Sequence, residues 1–238
     1  MVLFKSTWYT IGSIALALSL VLLIIGLWRP DLLRKDAHEI PLPTLSAHAS
    51  RPANWAEPLN ASFRLYVLSD SLYRSALPER GNVDELRRLG ISTVINLYQQ
   101  SDESWLNDAH VRRIHIPIRG DRVKDSDVIA VLRAIRQGER LGAVLVHCKH
   151  GQNRTGLIIA MYRIIYDGWK PEQAVAEMLE GGFGSADRMK DAIAYLNRVD
   201  LSAFRNAVAT GKCSTSFFAG CEWRGLFGGW TEPDDKTG

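Results

Sequence analysis

One stretch constrains this chain more than any other: Val144-Leu-Val-His-Cys148-Lys-His-Gly-Gln-Asn-Arg154-Thr155-Gly156. The apolar run Ala143 to Val146 predicts a buried strand, and the apolar run that starts at Leu157 predicts a buried helix. Five residues separate Cys148 from Arg154 between them, and Gly151 and Gly156 permit tight turns. A loop that leads from a strand into a helix N-terminus directs successive backbone N–H groups into one concavity. Arg154 brings a planar fork of donors suited to two phosphate oxygens. Cys148 stands at the mouth, where helix dipole and guanidinium both favour the thiolate. The pattern predicts a pocket for a dianionic phosphate with a sulfur nucleophile beneath the phosphorus. One competing reading is a buried cysteine in an ordinary strand-to-helix turn. Another is a sulfur carrier whose cysteine is cradled by amides, and the Arg-Thr-Gly ending argues against it.

The residues around this loop predict what holds it. Leu65 to Val67 and Leu72 to Arg74 read as short strands joined by the polar turn Ser69-Asp70-Ser71. A helix follows from Asn82 to Leu89, capped by Asn82 with Glu85 three residues on, and Gly90 ends it. Ile91 to Leu97 and Val111 to Ile118 are predicted strands, with a short helix between Ser101 and Asp108. Helical spacing predicts Asp125 to Gln137, Arg154 to about Tyr166, a helix opened by Pro171, and a last one from about Ala186 to Asn197, which Leu201 to Ala209 extend. Strands alternating with helices predict an α/β domain over residues 62–210: a largely parallel central sheet with helices on both faces. The ligand crevice of such a sheet lies beyond the carboxyl ends of its strands, where Cys148 falls.

The ends of the chain read differently. Ser6 to Trp28 carries no charged residue, and about 20 apolar residues span a bilayer core, so residues 1–28 predict one transmembrane anchor rather than a cleaved signal peptide. Residues 29–61 hold Pro30, Pro41, Pro43, Pro52 and Pro58 and predict an irregular tether. Arg29, Arg34 and Lys35 after the anchor, against Lys5 before it, weakly favour a cytoplasmic domain. In the tail, residues 211–238, Cys213 and Cys221 could close a small disulfide loop, which needs an oxidising compartment, or be two unrelated free thiols.

Phosphate-ester hydrolysis needs an in-line nucleophile, positive groups on the equatorial oxygens and an acid for the leaving group. Cys148 is the candidate nucleophile. Lys149, His150, Gly151, Gln152, Asn153 and Arg154 are the candidate phosphate binders, through backbone amides and the guanidinium. Thr155 can donate its hydroxyl to the Cys148 sulfur or cap the helix. His147 can orient the loop from behind, and Gln152 can position a water or merely fill space. The acid must come from elsewhere, and Arg119-Gly120-Asp121-Arg122-Val123-Lys124-Asp125 follows a strand that ends in the same crevice. Asp121 is the candidate and Asp125 the runner-up, although its place suits a helix cap; the remaining alternative is a water as proton source. Arg119, Arg122, Lys124, Lys149 and His150 are read as a basic rim that concentrates anions. No cofactor is expected, and a net charge of +3 is too mild to suggest nucleic acid as a partner.

Tyr73-Arg-Ser-Ala-Leu-Pro78, Thr93-Val-Ile-Asn-Leu97, His147 to Gly156, Gly168-Trp169 and Gly181-Gly-Phe-Gly184 together resemble dual-specificity protein tyrosine phosphatases. The resemblance is closest to a bacterial periplasmic branch, the TpbA-like phosphatases, and covers roughly residues 60–222. It implies a protein tyrosine phosphatase-like fold and hydrolysis of phosphotyrosine, extending to phosphoserine and phosphothreonine. It also implies the roles assigned to Asp121, Cys148 and Arg154, a paired Cys213 and Cys221, and no metal. It favours an inner-membrane protein with a periplasmic catalytic domain and a phosphorylated protein substrate, some of it membrane-bound. The aspartate falls one residue later than in many eukaryotic relatives, where Gly120 would be the acid. Two alternatives keep part of the reading: a phosphatase of inositol phosphates or other small phosphoesters, and a non-catalytic phosphate-binding module.

Overall fold

Alternating strands and helices become one six-stranded sheet in the computed structural model, which describes residues 51–216. The expected anchor, most of the expected tether and Cys221 lie outside the described residues. Among the described residues no helix is long and apolar enough to cross a membrane.

The strands are β1 (Glu57–Asn60), β2 (Leu65–Ser69), β3 (Leu72–Ser75), β4 (Ile91–Asn96), β5 (Arg112–His115) and β6 (Ala143–His147), in the order β1-β2-β3-β6-β4-β5. Pairings β3–β6, β6–β4 and β4–β5 are parallel, whereas β1–β2 and β2–β3 are antiparallel. The sheet is therefore mixed, which corrects the expectation of a largely parallel one. The turn between β2 and β3 is too short for the crossover that parallel neighbours require, so those strands must form a hairpin. The tether expectation also needs correction at its end. Pro58 lies in β1, an edge strand, where a missing N–H is tolerated. Just before it, Trp55 and Ala56 are buried, and Ala56 N donates to Glu177 Oε1 at 2.7 Å.

Strand pleating distributes the apolar residues between two cores. From β6, Val144 and Val146 enter the larger core while Ala143 and Leu145 enter the smaller. The register shift between Ile91 and Thr93 lets Ile91 and Val94 share the smaller core despite lying three residues apart. That core is closed by α1 (Val83–Arg88), Trp105 and Leu106. The larger core takes apolar residues from α2 (Asp125–Glu139), α3 (Asn153–Ile165), α4 (Pro171–Glu180), α5 (Lys190–Arg198) and α6 (Leu201–Ala209). Every residue of α3 from Thr155 to Ile164 is buried, including the apolar run that starts at Leu157 and the charged Arg163 within it.

Several local expectations give way to tertiary partners. Asn82 does not cap α1: its Oδ1 accepts from Glu79 N at 2.8 Å, and Glu85 Oε2 accepts from Asn60 at 2.8 Å. The Ser101–Asp108 helix is only a 3-10 turn, Asp102–Ser104, because the Asp102 side chain is drawn into the interior. The last predicted helix splits into a 3-10 turn, Ala186–Met189, and α5, while α6 starts anew from Asp200, whose carboxylate caps Ser202 N and Ala203 N at 3.0 Å each. A buried Arg163–Glu177 ion pair at 3.0 Å ties α3 to α4, and Arg163 also donates to Asn54 O.

Candidate active site

Cys148 follows the last residue of β6, is a free thiol and is only 2% exposed. The loop it begins is fastened from behind through its carbonyls. Lys149 O accepts from Leu77 N at 3.3 Å, Gly151 O from Arg74 Nη2 at 2.8 Å and Gln152 O from Gly156 N at 2.6 Å. Arg64 Nη1 approaches His150 O at 3.5 Å. A trans peptide is planar with C=O and N–H opposed, so each carbonyl turned outward turns the next amide inward. Among the described residues, no backbone or side-chain acceptor engages the amides from Lys149 to Arg154. With the tied carbonyls turned outward, these amides are left facing the opposite side of the loop. Gly151 makes the turn with φ +67°, and a Cβ there would lie 2.6 Å from Ala76 N and 2.7 Å from Ser75 O.

Arg154 enters α3 beside the loop and donates to Leu97 O at 3.3 Å. Its guanidinium carbon sits 5.5 Å from the centre of the Tyr98 ring, and Lys149 Nζ sits 5.9 Å from the same ring. Cys148, Arg154, Tyr98, Ile118, Asp121 and Arg188 share one cavity of about 670 Å³. Its wall also carries His150, Gln152, Asn153, Arg119, Asp187, Lys190 and Asp191.

The individual candidates separate on inspection. Thr155 Oγ1 is buried without a partner, so it neither caps the helix nor bonds the Cys148 sulfur here. Gln152 is nearly buried, pressed against Gly184, and its Oε1 is also unpartnered. The Asn153 side chain turns away to α5, donating to Asp191 Oδ2 and accepting from Ala192 N, both at 2.9 Å. Only its backbone amide is left to the loop. His147 is fully buried and shares a hydrogen bond with Asp102 through Nε2 at 3.0 Å. Asp102 also accepts from Asn96 Nδ2 at 2.9 Å and Trp105 Nε1 at 2.8 Å. His147 is thus anchored at the end of β6 by Asp102, a partner not identified from the sequence.

Asp121 lies in the 3-10 turn Gly120–Arg122, faces the cavity and is exposed. Hydrogen bonds from Arg119 at 3.2 and 3.3 Å hold its carboxyl below the usual carboxylate range, with Arg122 adding attraction at 3.6 Å. Asp125 is absent from the cavity wall. It accepts hydrogen bonds from Tyr195 Oη at 2.7 Å and from Thr215 Oγ1, so it joins α2 to α5 and the tail instead of capping α2. That bond and burial push the Tyr195 phenol far above its ordinary value.

The basic rim differs from expectation. Arg119 and His150 line the cavity, but Arg122, Lys124 and Lys149 do not, while Arg188 and Lys190 do. Burial and the neighbouring Lys149, Arg188, Arg154 and Arg64 charges depress the His150 imidazole pKa. Asp187 and Asp191 were also missed, as α5 and the turn before it reach the site only through the fold. Cys213 is disulfide-bonded, and its expected partner lies outside the described residues.

A family model described as the "Swiss Army Knife protein, DSP-PTPase phosphatase domain" matches residues 63–205. The chain is 46% identical over 184 residues to the dual specificity protein phosphatase TpbA of Pseudomonas aeruginosa strain PAO1, covering 77% of this chain and 84% of that protein. The crystal structure of P. aeruginosa TpbA superposes with a TM-score of 0.65 at 46% identity, covering 67% of this chain and 99% of that one. A cysteine-to-serine variant of TpbA in complex with phosphotyrosine superposes with a TM-score of 0.66, covering 68% of this chain and 100% of that one.

Proposed function

The chain belongs to the DSP-PTPase family of dual-specificity phosphatases, and on that premise we propose that it hydrolyses phosphotyrosine on proteins through a cysteinyl-phosphate intermediate. The observation that carries this is the loop itself: inward amides from Lys149 to Arg154 around a buried, free Cys148, with Arg154 at the helix start.

The Cys148 thiolate attacks phosphorus in line with the leaving oxygen. The P–O bond to tyrosine breaks as the S–P bond forms, and Asp121 gives its proton to the departing phenoxide. The loop amides and Arg154 hold the three equatorial oxygens throughout. Water then attacks phosphorus, the Asp121 carboxylate takes its proton, and the thiolate leaves. The Thr155 hydroxyl, buried and uncommitted, is available to donate to that departing sulfur. Phosphate arriving in the pocket competes for Arg119, which loosens its hold on Asp121 and favours the protonated acid.

Substrate choice follows from the cavity wall. Tyr98 and Ile118 provide apolar surface for a phenyl ring, and a variant of the relative TpbA binds phosphotyrosine. An inositol polyphosphate would need a largely cationic wall. Arg119, Arg154, Arg188 and Lys190 are instead interleaved with Asp121, Asp187 and Asp191, which disfavours that reading. A non-catalytic binding module would have no use for the intact Cys148, Asp121 and Thr155 together.

The uncharged stretch Ser6 to Trp28 and the disulfide at Cys213 support a single-pass inner-membrane protein whose catalytic domain faces the periplasm, with phosphorylated, partly membrane-bound protein substrates there. The full chain in detergent, offered phosphotyrosyl and phosphoseryl peptides and an inositol phosphate, is expected to release phosphate fastest from the phosphotyrosyl peptide. Cys148→Ser is expected to abolish release; normal turnover by that variant would sink the mechanism. An alkaline phosphatase reporter fused after Gly238 is expected to be active in cells, and an inactive one would reverse the orientation.

A further inference from the structure

Arg74 is a charged residue in the middle of the sheet and is 1% exposed. Burying a guanidinium is costly, so something must hold it there. Its plane lies over the Phe183 ring, with the guanidinium carbon 3.5 Å from the ring centre. Its Nη2 donates to Gly151 O at 2.8 Å, on the side of the phosphate loop away from the cavity. Burial lowers its pKa to about 10, and the Glu177 and Cys148 charges oppose that fall, so Arg74 stays cationic at neutral pH. Arg74 is paired with Val146 across β3 and β6, two residues before Cys148, so a second, hidden positive charge besides Arg154 stands beside the strand that carries Cys148.

Phe183 owes its position to the Gly181–Gly184 turn. Gly182 and Gly184 adopt φ +79° and +144°, and a Cβ on Gly181 would lie 2.5 Å from the Phe183 ring. Tyr66 packs edge-on against Phe183 at 4.6 Å and donates to Gly182 O at 2.8 Å. Two sequence motifs without a role in the chemistry, one around Arg74 and one around Phe183, therefore meet behind the loop.

We infer that Arg74, clamped on Phe183, is a positioning residue of the phosphatase reaction: it fixes the Gly151 carbonyl outward, so that the Gln152 amide faces the phosphate, and lends buried positive charge to the Cys148 thiolate. Arg74 does not line the cavity, so it acts through the loop and not on the substrate. The inference rests on the phosphatase reading for turnover but not for thiolate formation.

The test uses the full chain with Arg74→Met and Arg74→Lys. Two readouts are taken: kcat/KM on an aryl phosphate, and the pH midpoint for alkylation of Cys148 by iodoacetamide, which needs no substrate. Arg74→Met is expected to lower kcat/KM roughly 10²-fold, the scale of a displaced catalytic group, and to raise the alkylation midpoint by about one pH unit, the scale of one nearby charge. Arg74→Lys keeps the charge but not the planar stacking donor. It is expected to hold the midpoint near that of the parent chain while kcat/KM still falls roughly tenfold. Should Arg74→Met fail to fold, Arg74→Lys decides the geometry alone. Parental kcat/KM in Arg74→Lys, or an unmoved midpoint in a folded Arg74→Met, would overturn the role. A parent chain inactive on phosphotyrosine would reject the substrate reading and leave the alkylation titration to judge Arg74.

Discussion

His147 Nε2 lies 3.0 Å from Asp102 Oδ2, and neither side chain reaches solvent. The residue that ends β6, immediately before the nucleophile, is thus pinned by a carboxylate from the connection after β4. Asp102 simultaneously satisfies Asn96 and Trp105, so three buried donors converge on one side chain. Removing that acceptor leaves His147 and Trp105 unpaired in the interior, while Asn96 Nδ2 keeps its bond to Gln100 O at 2.8 Å. Asp102→Ala is expected to destabilise the domain by about 3 kcal/mol, from orphaned donors at about 1–3 kcal/mol each with partial relaxation. Urea denaturation followed by tryptophan fluorescence checks this; a loss below about 1 kcal/mol would mean the donors find other partners.

Two glycines with nearly the same backbone angle separate conformational strain from lack of space. Gly151 and Gly168 have φ +67° and +70°, but only Gly151 would place a Cβ against neighbouring backbone. Gly168→Ala is expected to cost about 1 kcal/mol, for the left-handed conformation alone. Gly151→Ala is expected to cost more than about 3 kcal/mol and to lose most turnover, since the loop must move off β3. Equal denaturation midpoints for the two variants would refute the contrast.

Asp121 can be tested through its leaving groups. Asp121→Asn is expected to slow hydrolysis of aryl phosphates with poor leaving groups by about 10²-fold or more, with little effect on strongly activated ones. A uniform loss across a series of phenols would remove Asp121 from the acid role.

The hold of Arg119 on Asp121 predicts a pH effect. Arg119 lowers the Asp121 pKa, so in the free enzyme the acid is deprotonated at lower pH than an isolated aspartate. Activity that needs the protonated acid falls as pH rises through that value. Arg119→Ala lets the pKa rise, so the alkaline limb of kcat/KM is expected to move to higher pH. A limb that stays put or moves down would show that Arg119 does not hold Asp121 in the free enzyme.

The Arg163–Glu177 pair is a buried ion pair outside the site. Glu177 is 1% exposed and accepts from Arg163 at 3.0 Å and from Ala56 N at 2.7 Å. Glu177→Ala is expected to destabilise the domain by about 3–5 kcal/mol, because a buried guanidinium loses its main counter-charge. Thermal denaturation at neutral pH measures it, and a near-neutral result would mean solvent reaches Arg163.

The parts of the site legible in the sequence are those whose geometry is local. Cys148, Gly151 and Arg154 lie within one turn of chain, so their spacing fixes the loop and the start of α3. Arg74, on β3, and Asp102, in the turn after β4, reach the loop and the strand end before it, and no spacing along the chain encodes that approach. For Arg74 a signal existed, since a charged residue inside an otherwise apolar strand pattern needs a buried partner. For Asp102 there was none, as Ser101-Asp102-Glu103 reads as an ordinary polar turn. Asn82 misled for a related reason: a short polar side chain follows local rules only until another partner offers a better bond. The mixed sheet was legible in part, because the brevity of Ser69-Asp70-Ser71 already forbids a crossover.

The central position of β6 has a consequence for motion. Leu97 N donates to His147 O, and Leu77 N to Lys149 O, so the nucleophile's loop is stitched to strands on both sides. Those two amides open only when the sheet around them opens. In deuterated buffer they should be among the slowest to exchange, while the Gly120–Arg122 turn exchanges early. On the proposed mechanism the sulfur sits on the hydrogen-bonded frame of the sheet, and the proposed acid sits on an exposed turn outside it.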